Sequence, residues 1–158
     1  TLERLFIEPA RRRPQARFVI GGAQYPPHFP WMPNIWFVHH VEAHRHPHFY
    51  GASRLTLNIT RAAMATMGYC PSGRLFEAAA CGVPILSDAW DGLDSFFTPG
   101  LEIVVAHNTD GALAALDLPD AELARIARRA RERALAEHSA ERRARDMLAA
   151  FDAARVAA

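Results

Sequence analysis

One carboxylate and one guanidinium lie three residues apart in an otherwise apolar stretch, RLFEAAAC, at residues 74–81. Arg74 and Glu77 would share a helical face, because residues three apart are neighbours on a helix. A helix that is apolar nearly all round is usually buried, and a buried carboxylate needs a partner. Two interpretations stay open: a salt bridge or rim position for Glu77, or a carboxylate held at a ligand cleft to accept hydrogen bonds from sugar hydroxyls.

The residues around this stretch predict its local structure. Ser72 is placed to cap a helix N-terminus with its hydroxyl. Gly82 suits the left-handed residue that follows a helix, and Pro84 cannot continue one. We therefore expect a short helix over residues 74–81, a buried strand over residues 83–87, and a polar turn that opens a second short helix near Gly92.

The run RLFEAAACGVPILSD, residues 74–88, resembles the core motif of the C-terminal, donor-binding domain of GT-B-fold glycosyltransferases, the group 1 glycosyl transferases. Residues 46–106 are similar to the spore-maturation, CgeB-like glycosyltransferases, and the resemblance extends over residues 17–151. It implies that Glu77 holds the ribose of a nucleotide-sugar donor. Many relatives carry a second glutamate eight positions earlier, where this sequence has Tyr69.

The resemblance implies an activity as well as a fold. The expected enzyme is a glycosyltransferase of hexosyltransferase type that takes a nucleoside-diphosphate sugar, of UDP or GDP type, and an unidentified acceptor. GT-B transferases generally need no bound metal ion, so no metal and no cofactor are expected. A Rossmann-like N-terminal half of the parent protein would bind the acceptor and supply acid–base groups. This chain alone would then bind donor and turn over little.

Apolar runs bounded by glycine, proline and polar residues predict five strands, at residues 17–21, 35–38, 54–59, 83–87 and 101–106. Strands that alternate with helices indicate the α/β class, a Rossmann-like parallel sheet flanked by helices. Residues 1–116 form the α/β core of a single domain, and residues 117–158 form a helical C-terminal tail. Compared with a GT-B donor domain, the strands correspond to the second to sixth. The central first strand is therefore expected from the parent protein.

Polar residues at the carboxyl ends of the predicted strands are the candidate site. Asn58 and Arg61 close one strand, where open α/β sheets bind ligands; a strand-end turn and a surface arginine are the alternative. Free amides at a helix N-terminus stabilise phosphate charge, and two helix starts offer them. Asp88 or Asp91 is placed to touch the sugar. The two helix starts are Ser72, Gly73 and Arg74, and Asp91, Gly92 and Leu93.

A histidine-rich segment, residues 39–50, raises the question of a metal site. His40 and His44 have i, i+4 spacing and Glu42 is near, as in some zinc sites. Against zinc, the spacing is crowded, no cysteine joins in, and Pro47 interrupts any helix. We expect a loop or short helix at a cleft.

The tail shows apolar residues at helical spacing and arginines on the opposite face. We predict a solvated arginine face, a break near His138, and a last helix. The residues expected to face inward are Leu123, Ile126, Ala127, Ala130 and Ala134 in the first part, and Ala144, Met147, Leu148 and Phe151 in the last helix.

Composition excludes several classes. The 158 residues are half apolar, and the net charge of +1 argues against a nucleic-acid protein that relies on bulk charge. All 18 basic residues are arginine, which with the many alanines suggests a GC-rich, bacterial genome. Two cysteines make no disulfide framework, and no run is long and apolar enough for a membrane span. We expect a cytoplasmic location, and, since the chain starts at Thr1, a fragment of a longer two-domain protein.

Three functions of different kinds therefore remain. The first is the donor-binding half of a glycosyltransferase. The second is a glycosyltransferase-like module that binds a nucleotide or sugar without catalysis. The third is a partner-binding α/β domain with no ligand, for which the arginine-rich tail would serve as the interface.

Overall fold

The computed structural model describes residues 1–23 and 25–156. Each predicted strand is present, although four are shorter than the apolar runs that predicted them. The last run loses most, because the backbone N–H groups of Leu101 and Glu102 bond the carbonyl of Thr98 in a turn. The strands are β1 (Phe18–Gly21), β2 (Ile35–Val38), β3 (Thr56–Asn58), β4 (Ile85–Ser87) and β5 (Val104–Val105).

All strand pairs are parallel, and within the described residues they form two separate sheets. In the first, β1 pairs with β2, with Phe18 opposite Ile35. In the second, β4 lies between β3 and β5, so that Ser87 is opposite both Asn58 and Val105. A cavity of about 870 Å³ is bordered by β1 on one side and β3 on the other.

Helices cover both faces of the three-stranded sheet. A π-helical turn, Glu3–Ile7, continues directly into the first α-helix, and 3-10 turns occur at Ala43–Arg45 and Leu93–Ser95. The α-helices are α1 (Glu8–Arg12), α2 (His46–Gly51), α3 (Ala62–Met67), α4 (Gly73–Ala80), α5 (Thr109–Leu116), α6 (Asp120–Glu137) and α7 (Ala140–Val156).

Successive side chains of β4 point to opposite helical layers, because the side chains of a strand alternate between its faces. Ile85 belongs to a buried cluster with Leu75 of α4 and Ala130 of α6. Leu86 packs in a second cluster with Leu5 and with Ala112 of α5. The predicted α/β architecture, parallel strands flanked by helices, is therefore confirmed.

The prediction for the C-terminal tail is confirmed for α6 and wrong for α7. The five residues expected to face inward from α6 are all buried, and the break after Glu137 is present. The expectation for α7 is wrong: Met147, Leu148 and Phe151 are each more than half exposed, and Ala144 is exposed too. Nothing among the described residues covers this face. An apolar stripe thus predicts a helix but not the presence of a partner for it.

Two local predictions about helix ends have different outcomes. Gly82 adopts a φ of 72° after α4, as its predicted left-handed role requires. Pro47 does not interrupt a helix, contrary to expectation, because it is the second residue of α2. A proline in the first turn replaces an N–H that has no helical acceptor. No helix within the described residues is both long and apolar enough to cross a membrane.

Candidate functional site

The carboxyl ends of β3, β4 and β5 meet at one edge of the three-stranded sheet, because the strands are parallel. The residues that follow them are Ile59 to Arg61, Asp88 to Leu93, and Ala106 to His107. Ligands of open α/β sheets bind outside this edge. The candidate site is therefore built from these three loops and the N-terminus of α4.

Buried polar side chains tie two of these loops together. Asn58, only 3% exposed, donates from Nδ2 to Ser87 Oγ over 3.1 Å. Its Oδ1 has no hydrogen-bond donor among the described residues. Thr60 donates from both its backbone nitrogen and its hydroxyl to Asp88 Oδ1, each over 3.0 Å. Asp88 thus anchors the loop after β3, and its proposed contact with a sugar stays a prediction.

The N-terminus of α4 opens toward the site. Ser72 occupies the N-cap position, but its hydroxyl makes no bond to a helix amide, so the predicted side-chain cap is wrong. The hydroxyl instead accepts from Arg74 Nε over 3.2 Å. Among the described residues, no acceptor faces the N–H groups of Gly73 and Arg74. A methyl group added at Gly73 would meet nothing within 4 Å. These amides are available to an external anion.

Glu77 lies one turn further along α4 and is not buried. Its side chain is 51% exposed, whereas Leu75, Ala78 and Ala79 form the buried face of the helix. The expectation of a helix buried all round fails because only one side of α4 meets the sheet. The alternative salt bridge to Arg74 is also absent from the described contacts, since Arg74 reaches Ser72 and the carbonyl of Ile59, at 3.4 Å.

The partner of Glu77 is a histidine that the sequence did not single out. Nδ1 of His46 lies 3.3 Å from Oε2 of Glu77, and Nε2 lies 3.1 Å from the carbonyl oxygen of Val41. Both facing atoms are acceptors, so the ring donates to both only when each nitrogen carries a proton. In the sequence, the position of His46 immediately before Pro47 indicates a helix start and could have identified this histidine.

Two titratable groups beside α4, the buried Tyr50 and the partly buried Cys81, respond to the charge of Glu77. Burial, and then the Glu77 carboxylate, raises the pKa of Tyr50, while Arg74 opposes the shift. The same two causes, in the same order, raise the pKa of the Cys81 thiol. Both groups therefore stay protonated over a wider pH range, and neither is a ready nucleophile or base.

The loop after β4 is shaped by a tyrosine and a glycine. Tyr69 has a φ of 50°, and its N–H donates to the carbonyl of Asp91 over 2.7 Å. Its ring lies over Gly92, where an added Cβ would be 2.4 Å from Tyr69 Cδ1. Gly92 also has a φ of 89°. The turn therefore requires glycine at 92 for two independent reasons.

A second cleft, of about 590 Å³, opens at this loop. Tyr69 is 71% exposed at its mouth, Asp91 is exposed, and Leu93 is buried beneath. His107, which follows β5, completes the lining and was not predicted. Its position directly after a predicted strand could have identified it as a candidate site residue. The N-cap of the predicted short helix is Gly92, and that helix is a single 3-10 turn.

The predicted site residues lie in three places, because Ser72, Gly73, Glu77 and Asp88 line neither of the two cavities. Asn58 and Arg74 border the large cavity, whereas the predicted helix start at 91–93 borders the second cleft. Tyr69 and the loop that follows it join these last two places. Arg61 is exposed at the start of α3 and borders neither.

Histidine side chains of the segment at residues 39–50 contact different neighbours. His40 Nε2 lies 3.7 Å from Glu42 Oε1, and His46 turns toward Glu77. Within the described part of the chain, no group of three or more histidine, cysteine or acidic side chains is placed to hold a metal ion.

This geometry, a helix N-terminus and a carboxylate at the carboxyl edge of a parallel sheet, can be compared with known proteins. A sequence model of one family, described as glycosyl transferase-like, matches residues 3–149. The chain belongs to this glycosyl transferase-like family. No curated protein matches the chain.

Solved structures show the same fold. Sucrose-phosphate synthase from Thermosynechococcus elongatus is similar with a TM-score of 0.63 and 18% identity, over 79% of this chain and 31% of that one. Anabaena HepE in complex with UDP-glucose is similar with a TM-score of 0.57 and 14% identity, over 82% of this chain and 48% of that one. AviGT4, a glycosyltransferase involved in avilamycin A biosynthesis, is similar with a TM-score of 0.51 and 20% identity, over 75% of this chain and 40% of that one. The domain is thus a glycosyl transferase-like domain with the GT-B fold, and it spans less than half of each of these three chains.

Proposed function

We propose that this domain binds the nucleoside-diphosphate sugar of a glycosyltransferase reaction. One observation carries the proposal: α4 presents two free backbone amides at its N-terminus and, one turn later, the exposed carboxylate of Glu77. A diphosphate needs the first feature, because a helix N-terminus attracts anions. A ribose diol needs the second, because the two carboxylate oxygens can each accept from one hydroxyl.

The chemistry of the step follows from this placement. When the bond between the sugar and the diphosphate breaks, negative charge grows on the leaving phosphates. The N–H groups of Gly73 and Arg74 are fixed dipoles and stabilise that charge without reorganisation. The guanidinium of Arg74 adds a charge-assisted hydrogen bond. The predicted helix start at 91–93 contributes less, because the N–H of Leu93 already donates to the carbonyl of Trp90 over 3.2 Å. Gly73 leaves the phosphate room to approach the backbone.

The base is proposed to be uracil, because one structural neighbour is a complex with UDP-glucose. GDP-type donors are the alternative. The transferred group is proposed to be a hexose and the step metal-independent. Kinship with the spore-maturation, CgeB-like enzymes, a cytoplasmic location in a bacterium, and an N-terminal half that binds the acceptor are further parts of the proposal. The sequence resemblance supports the kinship and the N-terminal half, and the arginine- and alanine-rich composition supports a bacterial source.

Titration of the chain with UDP, GDP, ADP and their hexose conjugates tests the proposal. A ligand that binds only the folded state stabilises it by about 2.7 kcal/mol at a hundredfold excess over its dissociation constant. We expect the largest rise in Tm with UDP or UDP-hexose. Glu77→Ala should abolish the rise, and Glu132→Ala, which removes an exposed carboxylate on α6, should preserve it.

Two outcomes would contradict the proposal. Equal Tm shifts for the wild type and Glu77→Ala would separate nucleotide binding from α4. No shift with any nucleotide, in the chain and in the longer parent protein alike, would favour a partner-binding domain without a ligand. A shift without transfer to any acceptor by the parent protein would favour the non-catalytic binding module.

A further inference from the structure

The last helix, α7, presents an apolar stripe to solvent. Every residue from Ala140 to Arg155 is exposed, and Phe151, the largest side chain of the stripe, is 59% exposed. The stripe recurs at alternating intervals of four and three residues, which is the spacing of a helix that packs along another helix. Its members are Ala140, Ala144, Met147, Phe151 and Ala154, with Leu148 beside Met147.

The junction with α6 holds the first turn of α7 against the domain. Because arginine only donates, Nδ1 of His138 accepts from Nη2 of Arg143 over 2.5 Å, and Nε2 donates to the carbonyl of Phe96 over 2.9 Å. The imidazole lies against the rings of Phe76 and Phe97, at centroid distances of 4.9 and 5.5 Å. A helix held in this way loses less freedom when its stripe is covered, and this favours docking.

The charges beside the stripe are complementary to those of the same helix in the opposite direction. Glu141 lies in the first turn of α7 and Arg155 in the last, and each directly follows a residue of the stripe. Both are seven residues from Leu148, so in an antiparallel pair centred there, Glu141 of each copy meets Arg155 of the other. A parallel pair would bring equal charges to the same level. The antiparallel arrangement also aligns the helix dipoles favourably.

The other charges of α7 argue against a membrane surface as the occupant. Arg142 and Arg143 contact Asp146, over 2.9 and 3.5 Å, and Arg145 contacts Glu141. Three acidic residues thus accompany four arginines along the helix. Helices that bind anionic membranes carry a polar face rich in basic residues, whereas the arginines of α7 are largely paired within the helix.

We propose that α7 binds α7 of a second copy of this chain as an antiparallel helix pair with a twofold axis at Leu148. A twofold interface requires a surface that is complementary to itself, and the stripe with its flanking charges meets that requirement. Phe151 of one copy packs beside Ala144 and Met147 of the other, so that a large side chain faces a small one. The inference goes beyond the nucleotide site, and neither result depends on the other.

The length of α7 predicts a weak dimer. Its 17 residues, at about 1.5 Å each, make a helix about 25 Å long. One pair of helices of this length forms an interface at the small, transient end of the range, below about 1,200 Å². We therefore expect a dissociation constant on the order of 100 μM.

Sedimentation equilibrium of the chain, from about 10 to 500 μM, measures this association. Phe151→Asp places a charge in the middle of the stripe, and we expect it to raise the dissociation constant about tenfold or more. Leu135→Asp is the matched control, because Leu135 is 51% exposed on α6 and lies outside the stripe. It should leave the dissociation constant unchanged.

Charge reversal tests the direction of the pair without changing the stripe. Glu141→Arg and Arg155→Glu should each weaken the dimer about threefold or more, and the double variant should recover the wild-type dissociation constant. Within one helix these residues lie about 21 Å apart, so recovery can come only from a second, antiparallel copy. Glu132→Arg, which reverses an exposed acid on α6, should have no effect.

Three results would overturn the proposal. The first is a chain that stays monomeric at every concentration; cosedimentation of that monomer with phosphatidylglycerol vesicles would then assign the stripe to a membrane surface. The second is a dimer that Phe151→Asp leaves intact, which would place the interface elsewhere. The third is a double charge variant that is no tighter than either single variant, which would exclude the antiparallel pair.

Discussion

Nδ1 of His46 lies 3.3 Å from Oε2 of Glu77, and this contact joins the start of α2 to the exposed side of α4. The other ring nitrogen faces the carbonyl of Val41, so the imidazole is held from both ends. It contacts only Oε2 of Glu77, and both carboxylate oxygens keep a lone pair for a ligand. His46 is thus a positioning residue for the carboxylate that the proposed function assigns to ribose.

Replacing this histidine tests its positioning role. His46→Phe keeps an aromatic ring against Tyr50, whose ring centroid is 6.1 Å away, but removes both nitrogens. Loss of one hydrogen bond is worth about 0.5–1.5 kcal/mol, so we expect UDP to bind about threefold to tenfold more weakly. Isothermal titration calorimetry measures the change, and His44→Phe, at an exposed site, is the matched control. Tighter binding in His46→Phe would show that the histidine competes with the ribose.

Two glycines should respond oppositely to the same substitution. Gly92→Ala forces a Cβ into the ring of Tyr69 at a φ of 89°, and we expect a loss of about 1–3 kcal/mol in the free energy of unfolding. Gly73→Ala adds a methyl in open space at a helix start, and a gain of about 0.5 kcal/mol is expected. Urea denaturation compares both with the wild type.

The double variant Tyr69→Ala with Gly92→Ala separates the two causes at Gly92. Removal of the ring should recover the part of the loss due to the clash and leave the part due to the positive φ. Complete recovery would show that the backbone conformation costs nothing measurable.

The buried polar contacts at the sheet edge should matter for stability before they matter for binding. Ser87→Ala deprives Asn58 Nδ2 of its 3.1 Å acceptor and leaves Thr60 Oγ1 at 3.5 Å. An unsatisfied buried donor costs about 1–3 kcal/mol. We expect that loss in urea denaturation, and a smaller one for Thr60→Val, since the Thr60 N–H still donates to Asp88. A neutral Ser87→Ala would show that this pair contributes little.

The titration of Tyr50 should lower the free energy of unfolding at alkaline pH. Its pKa is raised in the folded protein, first by burial and then by Glu77. As pH rises past about 10, the usual tyrosine pKa, the unfolded chain loses this proton before the folded one does. The free energy of unfolding therefore falls with pH. Tyr50→Phe should flatten this fall between pH 9 and 11, as measured by urea denaturation at each pH, and Tyr69→Phe, at an exposed site, should not.

The strands were predictable because each is a short apolar run closed by glycine, proline or polar residues, and such a run forms a buried strand in most surroundings. Their ends were not, because pairing depends on a neighbour. The run that contains β5 shows this: Ile103 is buried, yet only Val104 and Val105 join the sheet as a strand.

The local structure around the candidate site was predictable where one segment forms it, and unpredictable where two distant segments meet. The helix start at Gly73 and the turn at Gly92 follow from local rules for glycine. The contact between His46 and Glu77 joins segments separated by a strand and a helix, and no local rule places it. The expectation that α4 is buried all round was wrong for the same reason, since the sheet decides which face of α4 is covered; the exposed Glu77 agrees with the rim position that the sequence left open.

The cavity between β1 and β3 also divides the apolar interior. Phe6, Ile7, Ile20, Phe29 and Ile35 form a cluster of their own around the β1–β2 pair, and Leu57 is the apolar residue that touches both this cluster and the one beneath β4. Residues 18–38 can therefore open while the α4–α6 core stays closed, so that the chain behaves as two cooperative units rather than one. The segment before them stays attached to the larger unit, because Leu5 packs with Leu86 and Ala112. Heat or denaturant would then melt the molecule in two steps, with the half that carries the helix N-terminus and Glu77 lasting longer.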